Sequence, residues 1–148
     1  MGILERFLAY AADFEKTLAD DDWSRLRQYF GDDAVYRVES DLFGCELTGP
    51  DAIFAGMKKS LDGFDRLFSE REIAVTEGPS VEGDELRLAW TVTYHEHDAP
   101  DFVLRGRSLA RIRDDRIELL VDSYDERAEA GFADWMRETG SKLDPTYT

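Results

Sequence analysis

Apolar residues return every three or four positions from Ile3 to Leu18: Ile3, Phe7, Tyr10, Phe14 and Leu18 form one stripe, so residues 3–19 are expected to be helical. Asp20-Asp21-Asp22 breaks the stripe. Asp22 is positioned to cap a short second helix carrying Trp23, Leu26, Tyr29 and Phe30, with Gly31 as its end. The period then changes to two. Tyr36, Val38 and Ser40 alternate with Val35, Arg37 and Glu39, which predicts a strand over 34–40. Residues 42–47 read as a loop or short strand. Pro50 opens a third helix to about Ser69, with Ile53, Phe54, Met57, Leu61, Phe64, Leu67 and Phe68 on its apolar face.

Four segments of β character follow. Arg71–Thr76 is expected to end at Gly78-Pro79. Glu85–His97 puts Leu86, Leu88, Trp90, Val92 and Tyr94 on one face. Phe102–Arg113 puts Phe102, Leu104, Gly106, Ser108, Ala110 and Ile112 on one face and Arg105, Arg107, Arg111 and Arg113 on the other. In Arg116–Asp125, Ile117, Leu119 and Val121 share one face, and Glu118, Leu120, Asp122 and Tyr124 the other. The short connections 98–101 and 114–115 make the last three strands an antiparallel meander. A final helix over 126–139 and a loose tail at 141–148 complete a single domain spanning 1–148.

Helices segregated from a mostly antiparallel sheet define an α+β class. A long curved sheet around the first and third helices would make a half-open cone. Its cavity would be lined by Tyr10, Phe14, Tyr36, Val38, Phe54, Met57, Trp90, Val92, Tyr94, Ser108, Asp122 and Tyr124.

The chain carries 18 basic and 33 acidic residues, a net charge of −15. Such a surface repels phosphate backbones and anionic bilayers, so neither nucleic acid nor membrane is an expected partner. There is no long apolar run or signal-peptide pattern, and the single cysteine, Cys45, has no partner for an internal disulfide. Together these predict a cytoplasmic protein. Cys45 is expected to be a small buried or half-buried side chain. The Asp20–Asp22 cluster reads as a capped turn. His95 and His97 point the same way on a strand and could ligate a metal, but they lie on the outer face, where a solvated strand end or dimer contact fits better. No metal or cofactor is expected. The outer arginines are expected to form cross-strand ion pairs. The stripe Ile117, Leu119 and Val121 has no covering helix, which predicts a homodimer through the outer sheet face.

Several stretches resemble the nuclear transport factor 2-like superfamily: Phe14–Trp23, Tyr29–Tyr36, Leu47–Ile53 and Asp115–Tyr124. That superfamily includes ketosteroid isomerases, limonene epoxide hydrolases and SnoaL-like cyclases, and the resemblance implies the cystatin-like cone and a dimer. It does not imply one activity. The three ketosteroid isomerase positions fall at Phe14, Val38 and Ser108, so that mechanism is lost. The Arg-x-Asp of limonene epoxide hydrolases is missing from Trp90–Glu96, although their last-strand aspartate matches Asp122. SnoaL-like cyclases place an acid/base aspartate on the last strand, and Asp122 matches it as well. A carboxyl group in an apolar cone could have a raised pKa and exchange a proton with a bound carbonyl or aromatic compound. Alternatively, Asp122 hydrogen-bonds to a tyrosine or an arginine and only rigidifies the pocket, or the cone is filled by its own aromatics in a non-catalytic binding or interaction domain.

Overall fold

The computed structural model describes residues 2–40, 44–63, 68, 70–96 and 99–124. The element order is α1 (Ile3–Asp20), a 3-10 helix (Trp23–Tyr29), β1 (Phe30–Glu39), β2 (Cys45–Thr48), α2 (Pro50–Gly63), β3 (Glu70–Glu82), β4 (Glu85–Glu96), β5 (Ala99–Arg113) and β6 (Arg116–Tyr124). The expected α+β architecture is present. The expected C-terminal helix and tail, along with His97, Phe64 and Leu67, lie outside the described residues.

The aspartate turn after α1 is built from caps and ion pairs. Asp21 adopts a left-handed conformation and its N–H donates to Thr17 O, closing the helix. Asp22 Oδ1 accepts from Ser24 N at 3.2 Å and starts the 3-10 helix. Asp20 pairs with Arg25 at 2.7 Å and Asp21 with Lys58 at 2.6 Å, fastening the turn to α2. Gly31 does not end the helix. Strand β1 begins one residue earlier, at Phe30, whose fully buried ring commits the chain to the sheet.

The six strands form one open sheet in the order β2-β1-β6-β5-β4-β3. All neighbours are antiparallel except β1 and β6, which run parallel, so the sheet is mixed. The parallel pair joins strands far apart in sequence and brings Tyr36 and Val38 beside Leu120 and Asp122. Residues 45–48 are a strand rather than a loop.

Strand β3 does not end at Gly78-Pro79. It passes through that pair with two register shifts and continues to Glu82. A proline is tolerated there because β3 is an edge strand, where one N–H has no neighbour to bond.

The hairpin between β5 and β6 turns on Asp114 and Asp115, both with positive φ (53° and 62°), as a two-residue primed turn requires. A register shift follows it: Arg111 faces Leu119, but Ile112 faces Ile117. Glu118 is thereby bulged, and Ile117 turns into the core with 1% exposure. The expected outer stripe of Ile117, Leu119 and Val121 is therefore reduced to Leu119 and Val121.

Two apolar clusters fill the concave face. One joins Phe7 and Tyr10 of α1, Ile53 and Met57 of α2, and Leu86, Ala110, Ile112, Ile117 and Leu120 of the sheet. The other joins Val38, Trp90, Val92, Tyr94, Phe102 and Leu104. Tyr36 and Leu88 pack against both. On the convex face, three of the four predicted arginines make ion pairs: Arg107 with Glu77 at 3.1 Å, Arg111 with Glu85 at 3.3 Å, and Arg113 with Asp84 and Glu118. Among the described residues, no helix is long and apolar enough to cross a membrane.

Candidate functional site

Strand register builds the site as transverse rows on the concave face. One row runs Cys45, Val38, Asp122, Ser108, Leu88 across β2, β1, β6, β5 and β4. The row on one side holds Leu47, Tyr36, Leu120, Ala110 and Leu86. The row on the other holds Tyr124, Gly106 and Trp90. Asp122 is thus flanked by Tyr36 on one side and the Trp90–Tyr124 pair on the other.

Gly106 makes the aromatic pair possible. A Cβ there would stand 2.6 Å from Trp90 Cζ2 and 3.0 Å from Ser123 O. Its absence lets the indole lie across β5 and meet Tyr124 edge-on, with centroids 5.6 Å apart. So placed, Trp90 Nε1 donates to Ser108 Oγ at 2.9 Å. Ser108 Oγ donates to Asp122 Oδ1 at 2.6 Å, and Tyr36 OH donates to Oδ2 at 2.8 Å. Each carboxylate oxygen has its own donor, and the chain of bonds runs from an indole that can only donate.

Burial pushes the Asp122 carboxyl above the usual carboxylate range, and the bonds from Ser108 and Tyr36 pull against that rise. Its field reaches three other elements. Tyr36 on β1 is held well above the ordinary tyrosine value by burial and then by Asp122. Tyr10 on α1 and Cys45 on β2 are raised by the same two causes. Cys45 is half-buried, as its isolation in the sequence suggests. The arrangement can hold a proton on one carboxyl group above the ordinary carboxylate range and present hydroxyls from Tyr36 and Ser108.

The sequence-predicted lining residues divide between the two clusters. Val38, Trp90, Val92 and Tyr94 form the sheet side with Tyr124 and Tyr36 packed on them. Tyr10 and Met57 belong to the helix-side core, where Phe14 and Phe54 are partly buried. There the rings touch in sequence: Phe14 with Trp23 at 6.4 Å, Trp23 with Phe54 at 5.8 Å, Phe54 with Phe30 at 5.5 Å, and Phe30 with Tyr10 at 5.4 Å. The bond from Trp90 to Ser108 was not foreseen from the sequence. The signal was available, since both residues lie on concave faces of neighbouring strands, one row apart.

On the outer face, His95 Nδ1 lies 2.8 Å from Asp101 Oδ1, and its Nε2 lies 3.8 Å from Glu72. Glu70, Glu72 and His95 present ligand atoms within 4.8 Å of one another. The hydrogen bond with Asp101 raises the His95 pKa, and Glu72 and Glu70 add to that rise. Farther along the same face, a groove of about 640 Å³ is lined by Arg37, Arg87, Arg107 and Arg111, by Glu39, Glu77 and Glu85, and by Leu109, Leu119 and Val121.

Comparison with known proteins matches residues 11–119 to the family described as "SnoaL-like domain". No curated protein sequence matches. Among solved structures, TerC co-crystallised with polyporic acid is similar at a TM-score of 0.68 and 17% identity, covering 91% of this chain and 98% of that one. A putative isomerase from Bacillus subtilis is similar at 0.66 and 16%, covering 90% and 96%. An NTF2-like protein of unknown function from Exiguobacterium sp. 255-15 is similar at 0.60 and 22%, covering 84% and 99%. At these identities the likeness is one of fold, the nuclear transport factor 2-like cone.

Proposed function

Given that the chain belongs to the SnoaL-like domain family, we propose that it binds an apolar or aromatic small molecule in the concave face of the sheet, with Asp122 as the acid/base group. The observation that carries this reading is the doubly hydrogen-bonded carboxyl group set among Val38, Trp90, Tyr124 and Tyr36, with its pKa raised by burial. A buried carboxyl group costs stability, and sites that retain one in a concavity are candidates for proton exchange. The ligand would present one oxygen, carbonyl or hydroxyl, to Asp122 and Tyr36 and lay its apolar part against Trp90 and Tyr124. Proton exchange at that oxygen, or at a carbon beside a carbonyl, is the chemistry one carboxyl group supplies without a cofactor. The crystal of TerC with polyporic acid gives a similarly folded protein in company with a small molecule and supports the same class of ligand.

The chain of ring contacts from Phe14 to Tyr10 favours a second reading, in which the cone is filled by its own aromatics and the domain binds or associates without catalysis. A thermal-shift screen of aromatic polyketide-like and terpenoid compounds tests both. The first reading expects hits whose effect changes in Asp122→Asn. Hits that bind Asp122→Asn unchanged would remove Asp122 from the site, and a screen without hits would favour the filled cone.

We also propose a homodimer through the convex face. Two chains of charge −15 repel, but the groove there carries four arginines against three glutamates, with Leu109, Leu119 and Val121 between them. That near balance of charge lowers the repulsion between two copies meeting on the patch. Sedimentation of wild type against Val121→Glu tests it: a dimer that becomes a monomer is expected, and no change would contradict the assignment.

A further inference from the structure

We propose that Asp122 takes up its proton on Oδ2, the oxygen facing Tyr36, and that Tyr36 is therefore the group that meets a ligand oxygen, as acceptor when Asp122 is ionised and as donor when it is protonated. This rests on the reading that the cone binds a small molecule. The two oxygens of Asp122 differ in what stands behind them. Behind Oδ1 is Ser108, whose oxygen already accepts from Trp90 Nε1 at 2.9 Å. An indole N–H has no acceptor role, so this bond cannot reverse. If Oδ1 carried the proton and donated to Ser108, the serine would accept twice and its own hydroxyl hydrogen would lose Oδ1 as acceptor. Behind Oδ2 is Tyr36, whose one bond within this network is the one it donates to Asp122 at 2.8 Å. If Oδ2 carries the proton, it donates to the phenol oxygen, and the Tyr36 hydrogen turns away toward the concavity. The bonds Trp90 to Ser108 and Ser108 to Oδ1 both survive. Protonation at Oδ2 thus costs one outward-turning hydroxyl, which a ligand oxygen can accept. Protonation at Oδ1 makes Ser108 accept from both Trp90 and Asp122 and displaces its own hydrogen from Oδ1.

The groups facing Asp122 leave this exchange undisturbed. Tyr10 comes from α1, Tyr36 from β1, Cys45 from β2, Trp90 from β4, Ser108 from β5, and Tyr124 follows on β6 itself. From α2 the core receives Ile53, Phe54 and Met57, none of them ionisable. Tyr10, Tyr36 and Cys45 are held neutral, with burial the largest cause of each raised pKa. Asp122 is then the group in this set that changes charge first as pH rises, above the ordinary carboxylate range. A ligand carbonyl is bound by the protonated state, which offers the Tyr36 hydrogen. A ligand hydroxyl is bound by the ionised state, which offers the Tyr36 lone pair and Oδ2.

Asp122→Asn separates the possibilities sharply. The Asn carbonyl can accept from Ser108 as Oδ1 does, and its amide can donate to Tyr36 as a protonated Oδ2 would, so the variant holds Tyr36 as an outward donor at every pH. The probe is carbonyl-labelled acetophenone, its stretching band read by infrared difference spectroscopy while the Asp122 carboxyl is followed by 13C NMR. In wild type, a hydrogen-bonded, red-shifted carbonyl band should grow as the pH falls, in step with Asp122 protonation. In Asp122→Asn it should be present throughout. In Tyr36→Phe it should be missing throughout while Asp122 still titrates. A pH-dependent red-shifted band that persists in Tyr36→Phe would overturn the proposal, because Asp122 would then be donating directly. If acetophenone leaves the Trp90 indole signal unmoved and does not bind, the small-molecule reading fails for this probe, and the empty protein decides the proton position. There, the Tyr36 ring carbon bearing oxygen should shift with Asp122 while the Trp90 indole nitrogen stays still. The reverse pattern would put the proton on Oδ1 and contradict the inference.

Discussion

Ser108 on β5 stands directly opposite Asp122 on β6, and its hydroxyl donates to Oδ1 at 2.6 Å while accepting from Trp90 on β4. One serine thereby joins three strands and satisfies two groups that the apolar concavity would otherwise leave unpaired. Ser108→Ala removes both bonds. Each orphaned polar group costs about 1–3 kcal/mol. The variant should unfold at lower urea concentration with an unchanged m-value. It also loses the bond that most strongly opposes the rise caused by burial, so its Asp122 carboxyl should titrate at a higher pH than in wild type, as read by 13C NMR.

Gly106 is the second support. Its replacement by Ala puts a Cβ 2.6 Å from Trp90 Cζ2 and 2.8 Å from Cη2. The rigid indole must move or the strand must bend. Overpacking of this kind costs about 1–3 kcal/mol. Gly106→Ala should lower the melting temperature and shift the Trp90 indole N–H resonance, because the bond to Ser108 is broken with it. An unmoved indole resonance would mean that Trp90 is not held as described.

The pH dependence of stability carries a definite sign at Asp122. Its folded-state pKa lies above the unfolded value, so between the two the folded chain holds the proton more tightly. Stability falls as pH rises through that window, and the full cost remains above it. Asp122→Asn removes the cost while keeping an acceptor for Ser108 and a donor for Tyr36. It should therefore be more stable than wild type at pH 7, with the advantage fading as pH falls below the ordinary carboxylate range. For a chain of this size each kcal/mol moves the melting temperature by about 2–4 °C.

His95 carries the opposite sign. Asp101 holds its folded pKa above the unfolded value, with Glu72 and Glu70 adding to the effect. The stabilisation is complete below the unfolded histidine pKa and is lost as pH rises through the folded one. His95→Gln should lower the melting temperature more at pH 5.5 than at pH 9. The site is solvated, so the difference should also shrink in high salt.

Ile117 separates what was legible in the sequence from what was not. Period-two alternation puts it outside with Leu119 and Val121, but the bulge at Glu118 turns it inward. A bulge leaves no mark in a hydrophobic pattern, because one extra residue reverses the face without changing composition. Ile117→Ala should cost about 2–5 kcal/mol, as buried aliphatic truncations do. Leu119→Ala should cost about 1 kcal/mol. Equal effects would place both on one face. The edge strand β3 gives the same lesson: Gly78-Pro79 looks like a terminus, yet an edge position absorbs it. The helices before residue 64, the strands and the concave residues of β4 and β5 were legible because their patterns are local and regular. The parallel pairing of β1 with β6 was not, since it joins residues more than eighty apart, although a tyrosine was among the partners expected for Asp122. Asp122 itself stood out as a carboxylate in a strand, but its partner through Ser108, Trp90, required the register.

The proposed function makes Asp122 a proton-exchanging group inside a ligand-binding concavity. Its 13Cγ titration, recorded in the empty protein and again with the strongest aromatic hit bound, tests that claim most directly. A pKa above the ordinary carboxylate range is expected in the empty protein, with a further displacement when the ligand is bound. A carboxyl group that titrates at or below the ordinary value, and does so identically with and without ligand, would contradict it.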